Sequence, residues 1–163
     1  MGKLLGDVME RIGEDLTTNV SGAVLETVET LFGEKMYMVD AKDRKEGFSS
    51  LAVNVVLTQG SKNARLRLVF DCSLIETLAL TVYPKTALED GSVLEDAAAE
   101  VANIICNKIK AFINAKGFSI EMGFPEVDNS PLPENPEEGV VCLNFSTYKN
   151  RLAVKKILHV NME

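Results

Sequence analysis

The segment 92–117, SVLEDAAAEVANIICNKIKAFINAKG, constrains the fold most strongly, because it has the apolar period of one long amphipathic helix. Ser92 and Glu95 form the pattern of a capping box at its start, and Gly117 is the residue type that commonly ends a helix. The apolar face comprises Leu94, Val101, Ile105, Ile109 and Phe112. Such a helix needs a second layer of structure to cover that face.

The first half of the chain predicts a similar helix followed by a hairpin. Apolar residues at three- and four-residue steps predict a helix at residues 14–32, ended by Gly33. Residues 50–59 alternate apolar and polar side chains and predict a half-buried strand. Residues 60–63 have turn composition, and residues 64–71 alternate again, so the two strands should pair as a hairpin.

The remaining segments carry weaker signals. Residues 75–83, IETLALTVY, fit either a short helix that runs into a strand or a strand throughout. Residues 118–125 are a strand candidate, and residues 126–139 form an acidic, proline-rich loop without helical or strand period. Residues 140–148 and 151–160 predict a second hairpin.

This order of elements predicts an α+β fold, with two long helices packed on an antiparallel or mixed sheet. The two halves also resemble each other, because Asn19 and Gly33 are spaced like Asn103 and Gly117. A pseudo-twofold internal duplication would explain that spacing. The fold class is predicted with or without it.

Composition excludes several classes of protein. A length of 163 residues suits one domain with a sizeable core, and a net charge of -7 disfavours nucleic acid and anionic membranes as partners. No apolar stretch reaches the roughly 18 residues of a membrane-spanning helix, and the first residues lack the pattern of a secretory signal.

The cysteines and the histidine point to structural roles. Cys72, Cys106 and Cys142 are odd in number and widely spaced, which favours buried free thiols in a reducing cytoplasm over disulfides or a metal site. The single histidine, His159, cannot form a zinc site alone, and we expect it to be structural.

A polar stripe runs along the 92–117 helix. On a helical projection Asp96, Glu100, Asn103, Asn107 and Asn114 fall in a band about 60° wide. Any helix with one buried face needs a polar face, so the stripe has an ordinary structural interpretation. However, asparagine is a mediocre helix former, and three alanines at residues 97–99 flank the band with small side chains. The band therefore also suits close approach of another molecule.

The residues Asp96, Glu100 and Asn103 match a family motif. The segment resembles the D-x-x-x-E-x-x-N motif of the CheC, CheX and FliY chemotaxis phosphatases, and Pro125 stands near the position of the proline in that motif. The order of the predicted helices and strands and the length of the chain are similar to those of CheX, with residues 1–163 as a single domain. In the first half Asn19 has a leucine, not a glutamate, three residues before it, so only one complete pair is expected.

The resemblance implies a function and a site. Members hydrolyse the aspartyl phosphate of a CheY-like response regulator, so Asn103 would orient the attacking water and Glu100 would bind the lysine of the regulator. Asp96 would support docking or the helix N-terminus. Asn107, where many members have glycine, would contact the partner. The resemblance also implies a homodimer, no cofactor or metal of its own, and Mg²⁺ supplied by the regulator.

Other interpretations stay open at this point. The same face could serve a catalytically silent module or dimeric adaptor that binds regulators. A small-molecule enzyme has little support, because the nucleotide-binding and nucleophile motifs are lacking. A second E-x-x-N, Glu126 to Asn129, lies in the proline-rich loop, where nothing fixes its side chains on one face. The 151–160 strand could pair across a dimer axis, or Lys155 and Lys156 could protect it as an edge.

Overall fold

Three helices pack on a seven-stranded sheet in the part of the chain that the structure, a computed structural model, describes: residues 4–33, 35–39, 49–128, 141–147 and 156–163. The helices are α1 (Leu4–Phe32), α2 (Cys72–Ala79) and α3 (Gly91–Ala115), and a short 3-10 helix spans Lys85–Glu89. The strands are β1 (Tyr37–Val39), β2 (Ser50–Gln59), β3 (Lys62–Asp71), β4 (Glu121–Met122), β5 (Glu126–Val127), β6 (Val141–Ser146) and β7 (Ile157–Met162). The predicted α+β class is confirmed.

The sheet order is β1-β6-β7-β3-β2-β4, with β5 also paired to β2, and each described pair is antiparallel. Val53, Leu68, Val160 and Leu143 stand opposite one another across four strands, and all belong to the core under the helices. Burying an aliphatic side chain of this size contributes about 1.5–3 kcal/mol. The alternation in each strand therefore fixes which sheet face the helices cover.

The sheet order has the symmetry that a duplication predicts. β7 and β3, the last strands of the two halves, pair at the centre, and β6 and β2 lie outside them. At the edges the halves exchange strands: β1 pairs with β6 of the second half, and β4 pairs with β2 of the first. Exchanging the halves leaves this order unchanged, in agreement with a pseudo-twofold internal duplication.

α1 begins at Leu4, ten residues before the predicted start. The backbone at Ile12 is not helical (φ -141°, ψ 28°), so α1 consists of two helical segments joined at a kink. The kink interrupts the apolar period, and the sequence pattern therefore did not predict the first segment of α1. Its Leu4, Leu5 and Val8 are buried in the core. The predicted end is correct, because Gly33 follows the helix with φ +62°.

The ambiguous segment 75–83 contains no strand. Asp71 caps α2 by accepting a hydrogen bond from the backbone N–H of Ser73 at 3.1 Å. The helix continues to Ala79, and its buried residues are Leu74, Ile75, Leu78 and Ala79. These positions follow helical spacing, so the short helix was predicted correctly, and the strand that both interpretations contained was wrong.

The strand candidate at residues 118–125 is reduced to the two residues of β4. The following loop was expected to lack strands, yet Glu126 and Val127 form β5 against β2. Residues 129–140 lie outside the described residues. β4 keeps only part of the apolar alternation of residues 118–124, and β5 has no alternation that could have predicted it.

The prediction that the 151–160 strand lies at an exposed edge was wrong. β7 is interior, paired with β6 on one side and β3 on the other, so it has no free edge for a dimer partner. The Lys156 ammonium donates a hydrogen bond to Thr77 Oγ1 at 2.7 Å, a contact inside the protein and not edge protection. Lys155 lies outside the described residues. The homodimer itself stays a prediction.

The cysteines are free, but their burial differs from the expectation. Cys106 is buried, Cys72 is half-buried and Cys142 is exposed. Cys142 lies on the sheet face away from the helices, because its neighbours Val141 and Leu143 face the core. His159 is buried, and its Nδ1 is hydrogen-bonded to Asn144 Oδ1, as suits a structural residue.

Candidate functional site on helix α3

Helix α3 begins at Gly91, before Ser92, so the predicted capping box of Ser92 and Glu95 was wrong. Asp90 is the N-cap, and its carboxylate accepts a hydrogen bond from the backbone N–H of Ser92 at 2.9 Å. The backbone and side-chain hydrogen bonds from Ser92 lower the pKa of Asp90. The proposed role of Asp96 at the helix N-terminus is therefore filled by Asp90. At the other end Gly117 has φ +100°, which only glycine adopts readily, so the predicted termination is correct.

The inner face of α3 is fully packed. Ala98, Ala102, Ile105 and Ile109 are 0% exposed, and the small alanines let α3 approach its neighbours closely. Cys106 lies on the same face, and burial raises the pKa of its thiol to about 12. A thiol with that pKa is protonated at neutral pH and is a poor nucleophile. The packed inner face thus fixes which positions of α3 lie on the outer face.

The outer face presents the four predicted site residues. Asp96, Glu100 and Asn107 are exposed, and Asn103 is half-buried. The spacing of three and four residues places them on adjacent turns of one continuous helix. A carboxylate and an amide one turn apart combine a fixed negative charge with a neutral group that can accept or donate a hydrogen bond. This pair can bind a cation and hold a water molecule beside it.

The side chain of Asn107 is not free to point outward. Its Nδ2 donates a hydrogen bond to the backbone oxygen of Asn103 at 2.9 Å. The Asn107 amide therefore lies back along the helix over the turn that carries Asn103. A glycine at position 107 would leave the surface of that turn uncovered.

Asn114 belongs to the polar band on the projection but not to the exposed site. Its amide donates to the backbone oxygen of Ile120 at 3.0 Å and accepts from the backbone N–H of Ile120 at 2.7 Å. It joins the end of α3 to the chain leading into β4. Asn114 therefore does not extend the exposed part of the band, since its hydrogen-bonding groups are used inside the protein.

Replacing Asn114 with alanine should lower the free energy of unfolding by about 1–3 kcal/mol, because two partly buried backbone groups of Ile120 lose their partner. Urea denaturation followed by circular dichroism measures this loss. Asn63→Ala is a suitable control, because Asn63 is exposed in the hairpin and the substitution should change stability little. An equal loss in both variants would contradict the bridging role.

α1 has no equivalent of the Glu100–Asn103 pair. Leu16, three residues before Asn19, is in the core and is 1% exposed. Asn19 is half-buried, and its amide oxygen is out of contact with solvent. The second E-x-x-N of the sequence does not form a helical pair either, because Glu126 lies in strand β5. Its Asn129 is outside the described residues.

A groove beside Glu100 was not predicted from the sequence. It has a volume of about 490 Å³ and lies between the ends of α1 and α2 and the first half of α3. We call it the apolar groove. Its lining residues are Leu31, Phe32, Leu78, Ala79, Thr81, Val82, Tyr83, Asp96, Ala97, Glu100, Val101 and Ile104. The signal in the sequence was the apolar segment after Ala79, which the strand interpretation assigned to the sheet.

The described residues contain neither a metal-binding cluster nor a membrane-spanning helix. No three side chains of histidine, cysteine, aspartate or glutamate come together there as a metal site would require. Within the same residues, no helix has the length and hydropathy needed to cross a membrane.

Comparison with solved structures identifies the fold. CheX from Vibrio vulnificus is 13% identical, with a TM-score of 0.64 over 91% of this chain and 99% of that chain. A chain of the CheX–CheY–BeF3–Mg²⁺ complex from Borrelia burgdorferi is 20% identical, with a TM-score of 0.58 over 90% of this chain and 95% of that chain. FliY from Thermotoga maritima is also 20% identical, with a TM-score of 0.58 over 95% and 89% of the two chains.

No protein-family model matches the sequence, and no curated protein matches it. The structural likeness thus extends over about nine-tenths of the chain at low sequence identity. The chain has a CheX/CheC/FliY-like fold.

Proposed function

We propose that this chain, with its CheX-like fold, hydrolyses the aspartyl phosphate of a CheY-like response regulator. The observation that carries the proposal is the exposed acid and amide on α3, Glu100 and Asn103, one turn apart on a helix whose inner face is fixed in the core. The CheX of Borrelia burgdorferi, which has this fold, forms a complex with CheY, BeF3 and Mg²⁺. A protein that acts on a cytoplasmic regulator would itself be cytoplasmic.

Asn103 would position the attacking water. Its amide oxygen would accept a hydrogen bond from a water molecule in line with the bond between phosphorus and the aspartyl oxygen. The water oxygen forms the new bond to phosphorus, the aspartyl carboxylate leaves with the electron pair of the broken bond, and a proton of the water passes to a phosphoryl oxygen, so that inorganic phosphate is released. Phosphoryl transfer depends mainly on positioning and charge stabilisation. An amide can supply the positioning without adding a negative charge beside the phosphoryl group.

Glu100 would bind the lysine of the regulator. This task needs a negative charge, and Glu100 is exposed one turn before Asn103. Mg²⁺ belongs to the regulator and would neutralise phosphoryl oxygens there. Asp96 and Asn107 would contact the regulator on either side of the pair, Asp96 from the groove rim and Asn107 from the next turn.

Adding this protein to a phosphorylated CheY-like regulator with Mg²⁺ should accelerate phosphate release, and substoichiometric amounts should suffice because the chain is regenerated. Release of inorganic phosphate, followed continuously, measures the effect. A regulator that loses phosphate at its own rate in the presence of the bound chain would contradict the phosphatase.

Glu100→Gln should raise the KM for the phosphorylated regulator by roughly tenfold, because it removes one charge of a pair that becomes desolvated on docking. Glu95→Gln is the matched control: it removes the same charge from the same helix, but Glu95 lies away from the stripe. We expect the control to change KM by less than about twofold. Equal increases in KM for both variants would indicate a long-range effect of charge and not a specific pair between Glu100 and the lysine of the regulator.

A catalytically silent module that binds the regulator is the second candidate. The contact between the Asn107 amide and the backbone of Asn103 favours it, because this side chain covers part of the face where the water must sit. The same assay separates the two candidates, since a silent module binds the regulator without accelerating phosphate release.

A further inference from the structure

The apolar groove exposes large apolar side chains at two of its walls. Val82 and Tyr83, after α2, are 76% and 41% exposed, and Leu31, at the end of α1, is 43% exposed. Single exposed apolar residues are ordinary, but these three line one concave surface. Its volume of about 490 Å³ is within the usual range of ligand pockets.

The charges of the lining restrict what can bind there. Asp96 and Glu100 are the charged residues among the described lining residues, and both are acidic. The two carboxylates would repel a phosphate, a nucleotide or an anionic lipid. Charge complementarity favours a segment that carries a cation next to an apolar side chain.

The position of the groove identifies the occupant. Glu100 lines the groove and is also the residue proposed to bind the lysine of the regulator. Residues that flank this lysine are joined to it by a few bonds, which places them within reach of the groove. We propose that the apolar groove binds an apolar side chain of the regulator next to that lysine, which rests on the proposed function.

The apolar groove would thus contribute to binding of the regulator, and the polar stripe, with Glu100 and Asn103, would carry out dephosphorylation. Val82 contributes to binding only, since it lies outside α3. Asn103 is not among the lining residues of the groove. The two properties should separate in variants of the full chain.

The test is the dissociation constant of the chain for a CheY-like regulator carrying BeF3 and Mg²⁺, measured by titration calorimetry. Val82→Asp should weaken binding about tenfold, because a carboxylate cannot be buried against an apolar side chain without loss. In steady state KM should rise similarly, with kcat at saturating regulator unchanged. Leu31→Gln, from the opposite wall, should also weaken binding and guards against a local folding defect at Val82.

Val56→Asp is the matched control. Val56 is an exposed valine on the sheet face away from the helices, and it stands opposite Arg65, so an aspartate there gains a favourable cross-strand pair. It should leave the dissociation constant within about twofold of the unsubstituted chain. Wild-type affinity in both groove variants, or equal weakening by Val56→Asp, would overturn the proposal.

Failure of the two proposals can be told apart. Binding that depends on Val82 without accelerated phosphate release supports the groove and overturns the phosphatase. Accelerated release that is insensitive to the groove variants overturns the groove alone. A chain that binds none of the CheY-like regulators of its own genome overturns both.

Discussion

Asn103→Ala should lower the rate constant for regulator dephosphorylation by about 10²-fold or more, as loss of one precisely placed catalytic group commonly does. Asn103 is half-buried on the outer face of α3, so its truncation removes an amide without opening a core cavity. The melting temperature and the affinity for the BeF3–Mg²⁺ form of the regulator should change little. Single-turnover phosphate release at saturating regulator measures the rate constant directly.

The control for this variant is Asn129→Ala. Asn129 ends the other E-x-x-N of the sequence, whose glutamate, Glu126, lies in β5 and not on a helix. The substitution should leave the rate unchanged. If Asn129→Ala lost activity and Asn103→Ala retained it, the assignment of the catalytic residues would be wrong.

Ile105→Ala should lower the free energy of unfolding by about 2–5 kcal/mol. Ile105 is 0% exposed on the inner face of α3, two residues after Asn103 but on the other side of the helix. Its truncation removes buried apolar surface and leaves a cavity that the neighbouring helices and strands fill only in part. Urea denaturation gives the change in free energy, and the rate constant under native conditions should stay close to that of the unsubstituted chain.

Ile104→Ala is the matched control for stability. Ile104 is only half-buried, so the same truncation should cost less than half as much. A loss in Ile105→Ala no larger than in Ile104→Ala would contradict the packing described for α3. Together with Asn103→Ala, this pair tests whether one face of α3 serves stability and the other serves chemistry.

The sequence predicted those parts of the fold in which the apolar period is long and uninterrupted. α3, β2 and the hairpin to β3 follow such periods and were placed correctly. The first segment of α1 was missed because the kink at Ile12 shifts the period. β5 was missed because two residues carry no period at all; their pairing depends on β2, which is distant in the sequence.

The candidate site was predicted in part for a similar reason. Residues of one helix can be placed relative to one another from spacing alone, so the stripe of Asp96, Glu100, Asn103 and Asn107 needed no tertiary information. The apolar groove lies between the ends of α1 and α2 and the first half of α3, and its position follows from the packing of these helices. A helical projection could not predict the role of Asn114, because this residue is hydrogen-bonded to Ile120, which lies beyond the end of the helix.

The position of Leu16 in the core has a consequence for how such chains can evolve. If the halves arose from one ancestral unit, α1 has exchanged any acid at this position for a leucine that now stabilises the core. Reversing that single step would bury an uncompensated carboxylate, at a large cost in stability. An acid–amide pair at this position of α1 would therefore be costly to introduce, and chains that keep this leucine in the core should carry such a pair on α3 alone.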